Sequence, residues 1–317
     1  MIGFIGRRAV QGLFVLWAAY TVSFLVLYLL PGDAAAIQAA GADNGTPEPV
    51  LLAQLREEYG LDKPLIVQYF VAFGKAVQLN FGASSQTGGS AVQAVADVLP
   101  QTLQLTAVAL PLALLLGVGL AVVSTFARNR WLAQLLGALP SLFVSVPSFW
   151  IGLLLLQTLS FRLRLFPSIG NEGFQSIVLP AVTLALPVGA YLAQLLARSL
   201  RSTLAQPYIE LVRARGASDA RVHFRHALRN AIIPCVTMLG ILVGSLLSGA
   251  VVTETVFSRV GVGRLTVMAV NNRDIPVVQA IVVLVALIFV ITSLLVDIIY
   301  PLIDRRISVS RSAFVAA

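Results

Sequence analysis

The sequence predicts an all-α integral membrane protein with six transmembrane helices and one helical loop on the cytoplasmic side. Three observations carry this. Of the 317 residues, 58% are apolar and 11% charged, against about 25% charged in soluble domains. Apolar runs of about eighteen residues or more recur, the length that crosses a hydrocarbon core about 30 Å thick. Between two such runs lies residues 206–234, QPYIELVRARGASDARVHFRHALRNAIIP, where Arg213, Arg215, Arg221, Arg225 and Arg229 face only Glu210 and Asp219. An arginine at the bilayer centre costs about 2.5–3.5 kcal/mol, so this segment belongs outside the hydrocarbon.

In chain order, Arg7 and Arg8 precede an apolar run over 9–30. At about 22 residues it exceeds a signal-peptide core of about 7–15, and no small-residue cleavage site interrupts it. It reads as an uncleaved first span with its N-terminus inside. Residues 31–100 are polar and acidic: Asp33, Asp43, Glu48, Glu57, Glu58, Asp62 and Asp97 outnumber Arg56, Lys63 and Lys75. Residues 43–47 have turn chemistry. Residues 50–59 and 65–79 have helical spacing, with Gly60 as a stop and Pro64 as a start. The expectation is a solvated extracytoplasmic loop with two short helices, the alternative a docking surface for an outside partner.

The second span, 102–126, is interrupted by Pro111 and Gly117, and Arg128 and Arg130 then return the chain to the basic side. The third, 133–161, carries Pro140, Pro147 and an interfacial Trp150, and a short loop with Arg162, Arg164 and Glu172 follows. The fourth, 176–200, contains Pro180 and Pro187. Past the basic segment, the fifth span, 232–252, offers Gly240, Gly244 and Gly249 for close helix packing. An outside loop over 253–274, a sixth span over 275–301 and a basic tail from Asp304, Arg305 and Arg306 complete the chain. This topology places 14 of the 22 lysines and arginines inside and 8 outside, so both termini are expected in the cytoplasm. The prolines predict breaks near the middle of three spans, either tolerated kinks or bends that shape a pathway.

Several function classes are disfavoured. No phosphate-binding Gly-x-x-x-x-Gly-Lys-Ser/Thr occurs, because Gly74-Lys75 is followed by Ala76, so the chain has no nucleotide cradle of its own. Span centres lack ionisable residues, and Asp297 reads as interfacial, which argues against a self-powered carrier or an intramembrane enzyme while leaving carbonyl-lined ion sites open. The single cysteine, Cys235, excludes an intrachain disulfide and reads as a small buried hydrophobe. The net charge of +8 is clustered between apolar runs, which points to membrane lipid and topology and away from nucleic acid.

The basic segment has helical grammar. Pro207 suits a first helical turn, and Gly216 supplies a left-handed stop. Ser218 can cap a second helix that starts at Asp219 and runs through Arg221, Phe224, Arg225, Leu228 and Arg229 toward Pro234. The product is a helix–glycine–helix elbow with Leu211, Val212, Phe224 and Leu228 available for burial. On spacing alone, an interfacial helix whose arginines hold anionic lipid remains open.

Glu210-Leu211-Val212-x-x-x-Gly216 resembles the Glu-Ala-Ala-x-x-x-Gly loop of ABC-importer permeases. The residues 214–218 (ARGAS) and 225–234 (RHALRNAIIP) are similar to the dipeptide/oligopeptide/nickel subfamily nearly residue for residue. So are 80–84 (NFGAS), 253–258 (TETVFS), 261–264 (GVGR) and 273–276 (RDIP), while the ending LPGD at 30–33 fits the first-permease type. Leu211 and Val212 replace the two alanines, and His226-Ala227-Leu228-Arg229 replaces the general Ile-x-Leu-Pro, with proline delayed to Pro234. Both departures look normal for the peptide subfamily.

The resemblance implies a type I ABC importer permease fold in a bacterial inner membrane. It divides the chain into a helix over 1–30, an extracytoplasmic loop over 31–93, a permease domain over 94–305 and a tail over 306–317. It implies a non-enzymatic subunit carrying no cofactor, with ATP and Mg on two cytoplasmic ATPase subunits or domains. A homologous second permease and an extracytoplasmic substrate-binding protein are its other expected partners. The ATPase-coupling residues it implies are Glu210, Arg213, Arg215, Gly216, Ser218, Asp219, Arg221, Arg225, His226 and Arg229. Di- or oligopeptides are the expected cargo. Nickel, glutathione or another small solute on the same machinery is the alternative, and an ATP-independent channel or carrier is the alternative of another class.

Overall fold

The computed structural model describes residues 2–29 and 64–303. The turn expected at 43–47, the helix expected at 50–59 and the tail 306–317 lie outside the described residues. The chain divides into two compact units, one comprising residues 1–102 and 260–290 and the other residues 103–259 and 291–317.

In the first unit, α1 (Ile2–Leu29) is followed by α2 (Leu65–Val77), the start of α3 (Ala91–Phe126), α12 (Val262–Asn271) and the start of α13 (Ile275–Ile303). A core of Ala91, Val95, Val262, Ala269, Val277 and Ile281 joins α3, α12 and α13. Two polar pins fix the connections. The Ser84 hydroxyl donates to the buried Asp274 carboxylate at 2.5 Å, and the Val262 amide donates to Thr102 Oγ1 at 2.8 Å.

The helix expected within 65–79 forms, but its setting is not that of a solvated loop. Tyr69 and Phe73 of α2 pack edge-on or tilted against Tyr20 and Phe24 of α1, and the Tyr69 and Thr21 hydroxyls lie 2.8 Å apart. Ile66, Phe70 and Val77 remain exposed, an apolar surface that water alone would penalise.

The second unit is organised around α6 (Gln175–Leu204), most of which is buried. It includes the rest of α3, α4 (Arg130–Ser145), α5 (Ser148–Leu155), α7 (Pro207–Ala214), the short helices α8 (Asp219–Arg221), α9 (Leu228–Ala231) and α10 (Ile233–Thr237), and α11 (Leu239–Val256). Leu184, Leu192, Leu196 and Leu200 of α6 pack with Leu105, Ala109, Ala113, Leu242 and Leu246. The approach of α3 to α6 is set by glycine. A Cβ on Gly117 would stand 2.8 Å from the Gly189 carbonyl oxygen, and one on Gly189 would stand 2.9 Å from the Ala113 carbonyl oxygen. Gly117 is therefore a packing residue; α3 runs through it without interruption.

Among the described residues, five helices are long and apolar enough to cross a membrane: those within α1, α3, α6, α11 and α13. The third expected span has a different form. Arg130–Ser145 and Ser148–Arg162 meet at an angle of 102°, and counting this bent pair as one span gives six. The break falls at Pro147, whose ring removes a donor and pushes Val146 into extended backbone. By contrast Pro111, Pro140, Pro180 and Pro187 sit within continuous α-helices, as the tolerated alternative expects, and only Pro147 marks a break. The second arm ends in a π-helical turn, Leu156–Arg162.

Candidate functional site

The basic segment folds as α7, an elbow, and a second limb built from α8, a π-helical turn over Val222–Ala227, and α9. Pro207 occupies the first turn of α7, where a missing N–H removes no helical bond. Gly216 has φ +82°, in the left-handed region, and donates to the Arg213 carbonyl. The Ser218 hydroxyl caps α8, accepting from the Arg221 amide at 3.4 Å.

The buried face differs from the expected one. Ile209, Val222, His223, Ala227 and Ala231 are buried, whereas Leu211 is 55% and Phe224 49% exposed, and Val212 and Leu228 are half-buried. The π-helical turn itself carries the buried Val222, His223 and Ala227 and leaves Phe224 outward. The helix expected from Asp219 toward Pro234 forms, with right-handed helical backbone at each junction and a π-helical turn within it.

His223 anchors the second limb. Its Nε2 lies 3.3 Å from Thr125 Oγ1, and its ring packs edge-on against Phe126 and Phe224. Burial pushes its pKa below the ordinary imidazole value, favouring the neutral ring. The two limbs are tied by Asn230 Nδ2, which donates to the Tyr208 hydroxyl at 2.9 Å, while that hydroxyl donates to the His226 carbonyl at 3.4 Å. An exposed ion pair of Arg128 with Asp219 at 3.5 Å adds little by itself.

Among the ten residues singled out from sequence, Glu210, Arg213, Arg215, Gly216, Ser218, Asp219, Arg221, Arg225 and Arg229 are exposed, and His226 is half-buried. They share one exposed loop. The residues that seat it are Tyr208, Ile209, His223 and Asn230; in sequence, a tyrosine, histidine or asparagine within a basic run carries no signal of burial or pairing.

Residues 92–309 match the family described as binding-protein-dependent transport system inner membrane component, and residues 1–106 match the family described as its membrane component N-terminal region. The chain belongs to this family. It is a multi-pass inner-membrane permease component of binding-protein-dependent transport systems. A relative from Sinorhizobium fredii, "Probable peptide ABC transporter permease protein y4tP", is 36% identical over 312 residues, covering 96% of this chain and 98% of the relative. The "Glutathione transport system permease protein GsiC" of Escherichia coli strain K12 is 34% identical over 307 residues, covering 97% and 99%. That of Salmonella typhimurium is 35% identical over the same length. Among solved structures, an inward-facing MetNI methionine ABC transporter chain aligns with a TM-score of 0.57 at 18% identity, covering 66% of this permease and 95% of that chain. That likeness shows the type I importer permease fold.

Two further buried charges belong to this permease fold. Arg259 is 1% exposed, and its Nη1 donates to the Ser176 carbonyl at 3.0 Å, the Ser176 hydroxyl at 3.2 Å and the Gly170 carbonyl at 3.2 Å. Burial lowers its pKa, and the Glu254 carboxylate, also buried, pulls it the other way. The cue was present in sequence: Glu254 and Arg259 lie in and beside the 253–258 motif, five residues apart.

Proposed function

We propose that this permease imports di- or oligopeptides, fed by an extracytoplasmic binding protein and driven by two cytoplasmic ATPase subunits or domains that bind ATP and Mg. A second, homologous permease completes the path as a heterodimer, and both termini of this chain lie in the cytoplasm. The 31–93 segment lies outside the membrane core of the permease domain, taken as 94–305. The observation that carries the reading is the exposed elbow at 206–234. A loop seated by buried side chains transmits rigid-body motion, which a solvated tether cannot do.

In this reading Leu211 and Phe224, exposed on a cytoplasmic surface, enter the ATPase groove. Glu210, Arg213, Arg215, Asp219, Arg221, Arg225, His226 and Arg229 form the charged rim that orients docking, while Gly216 and Ser218 set the bend. Rim charges of this kind give salt-sensitive association. The test is co-purification of the ATPase with the full permease pair. Glu210→Arg and Phe224→Asp should each release the ATPase while leaving the permease in the membrane. Retention of the ATPase by both variants would refute the docking role, and uptake by this chain alone in ATP-free liposomes would refute the importer.

Glutathione, itself a tripeptide, is the second cargo reading, favoured by the relatives named for its transport. Competition of uptake by glutathione against a dialanine tracer separates the two.

A further inference from the structure

A cavity of about 280 Å³ opens in the second unit between α3, α4 and α6. Arg198 and Arg201 line it with Gln194 from α6, Ser124 from α3 and Ser141 from α4, and no lining side chain is acidic. The two arginines are three residues apart and so share a helix face. Neither has a hydrogen-bond or ion-pair partner among the described residues. The floor is polar as well, with Gln194 Nε2 directed at Ser141 Oγ, 3.5 Å away.

The depth of the cavity says what it meets. Residues 175–197 of α6 are uncharged, 23 in a row. At 1.5 Å per residue they span about 35 Å, enough to cross a hydrocarbon core of about 30 Å. Arg198 and Arg201 are the first charges beyond that stretch, at the level of the lipid head groups. On α4, Trp131, Leu135 and Leu142 are exposed along one flank, a surface suited to acyl chains.

We propose that this cavity binds the head group of an anionic phospholipid of the phosphatidylglycerol type, with Arg198 and Arg201 on the phosphate and Gln194 and Ser141 on the hydroxyls of the head-group glycerol. Basic pockets between transmembrane helices bind anionic head groups by this chemistry. A zwitterionic peptide fits less well, because the lining has no carboxylate for its ammonium group. The proposed orientation puts this level in the inner leaflet; the binding itself does not rest on that orientation and is read without transport or ATP.

The test is native mass spectrometry of the purified permease released from nanodiscs of phosphatidylcholine containing 30% phosphatidylglycerol. Retained phosphatidylglycerol is expected on the wild type in preference to phosphatidylcholine. At about five-fold per arginine, Arg198→Gln/Arg201→Gln should weaken retention about 25-fold, and Arg198→Lys/Arg201→Lys should restore most of it. Gly137→Leu, which plugs the cavity and keeps both arginines, should also abolish retention, guarding against a charge variant that merely misfolds. Equal retention of the two lipids, or unchanged retention in the double glutamine variant, would overturn the proposal. So would displacement by millimolar glycerol phosphate, which would make the ligand a soluble phosphate, or by dialanine, which would place the cavity on the substrate path.

Discussion

Gly216 offers a clean separation of backbone geometry from side-chain bulk. Its φ is +82°, and a Cβ built there meets no atom within 4 Å. A substitution therefore acts through the backbone alone. An L-residue held in the left-handed region loses about 1–2 kcal/mol, which lowers the population of the elbow conformation by about five- to thirty-fold. Asparagine adopts this region several-fold more readily than other non-glycine residues, and a β-branched residue least readily. Reconstituted with its ATPase and binding protein, the permease should lose substrate-stimulated ATP hydrolysis in the order Gly216, then Asn, then Ala, then Val. Membrane yield should be unchanged across the series. An Asn variant as poor as Val, or a Val variant that couples normally, would refute the argument that the elbow's backbone carries the coupling.

Three further outcomes follow from the packing. Gly117→Ala should destabilise the second unit by about 1–3 kcal/mol, as overpacking does, because its Cβ would meet the Gly189 carbonyl oxygen at 2.8 Å. Gly119→Ala on the same helix, with nothing within 4 Å, should not; thermal unfolding at a fixed scan rate in detergent compares them. Arg259→Met should cost about 1–3 kcal/mol by removing the donor to the Ser176 and Gly170 carbonyls, and a double-mutant cycle with Glu254→Gln measures how far the two buried side chains are coupled. His223 is held neutral, so the unfolded chain takes up a proton that the folded loop resists. Stability of the 206–234 loop should therefore fall as pH drops below about 6.5 and level off once the folded histidine is protonated. Trypsin cleavage at the loop arginines should accelerate over that range in the wild type and lose the dependence in His223→Gln.

Much of this protein was legible before any coordinates. Uncharged runs set the spans because hydrocarbon rejects charge whatever the tertiary arrangement. Pro207, Gly216 and Ser218 set the elbow because their effects are local to the backbone they sit in. Which face of each element packs was another matter. In a chain this apolar, lipid-facing and core-facing side chains look alike, so periodicity marks no buried side. Contact is decided by shape, as at Gly117 and Gly189, where backbone meets backbone. The bend at Pro147 and the continuity through Pro111, Pro180 and Pro187 depend on neighbours that do or do not re-satisfy the freed carbonyls. In the basic loop the buried face runs through Val222, His223 and Ala227 and leaves Phe224 exposed. The sequence thus determined where the chain crosses and where it cannot, through residue-level solvation and backbone chemistry. Only the tertiary structure decided which surfaces meet, because packing is a property of pairs of elements and leaves no mark in either one alone.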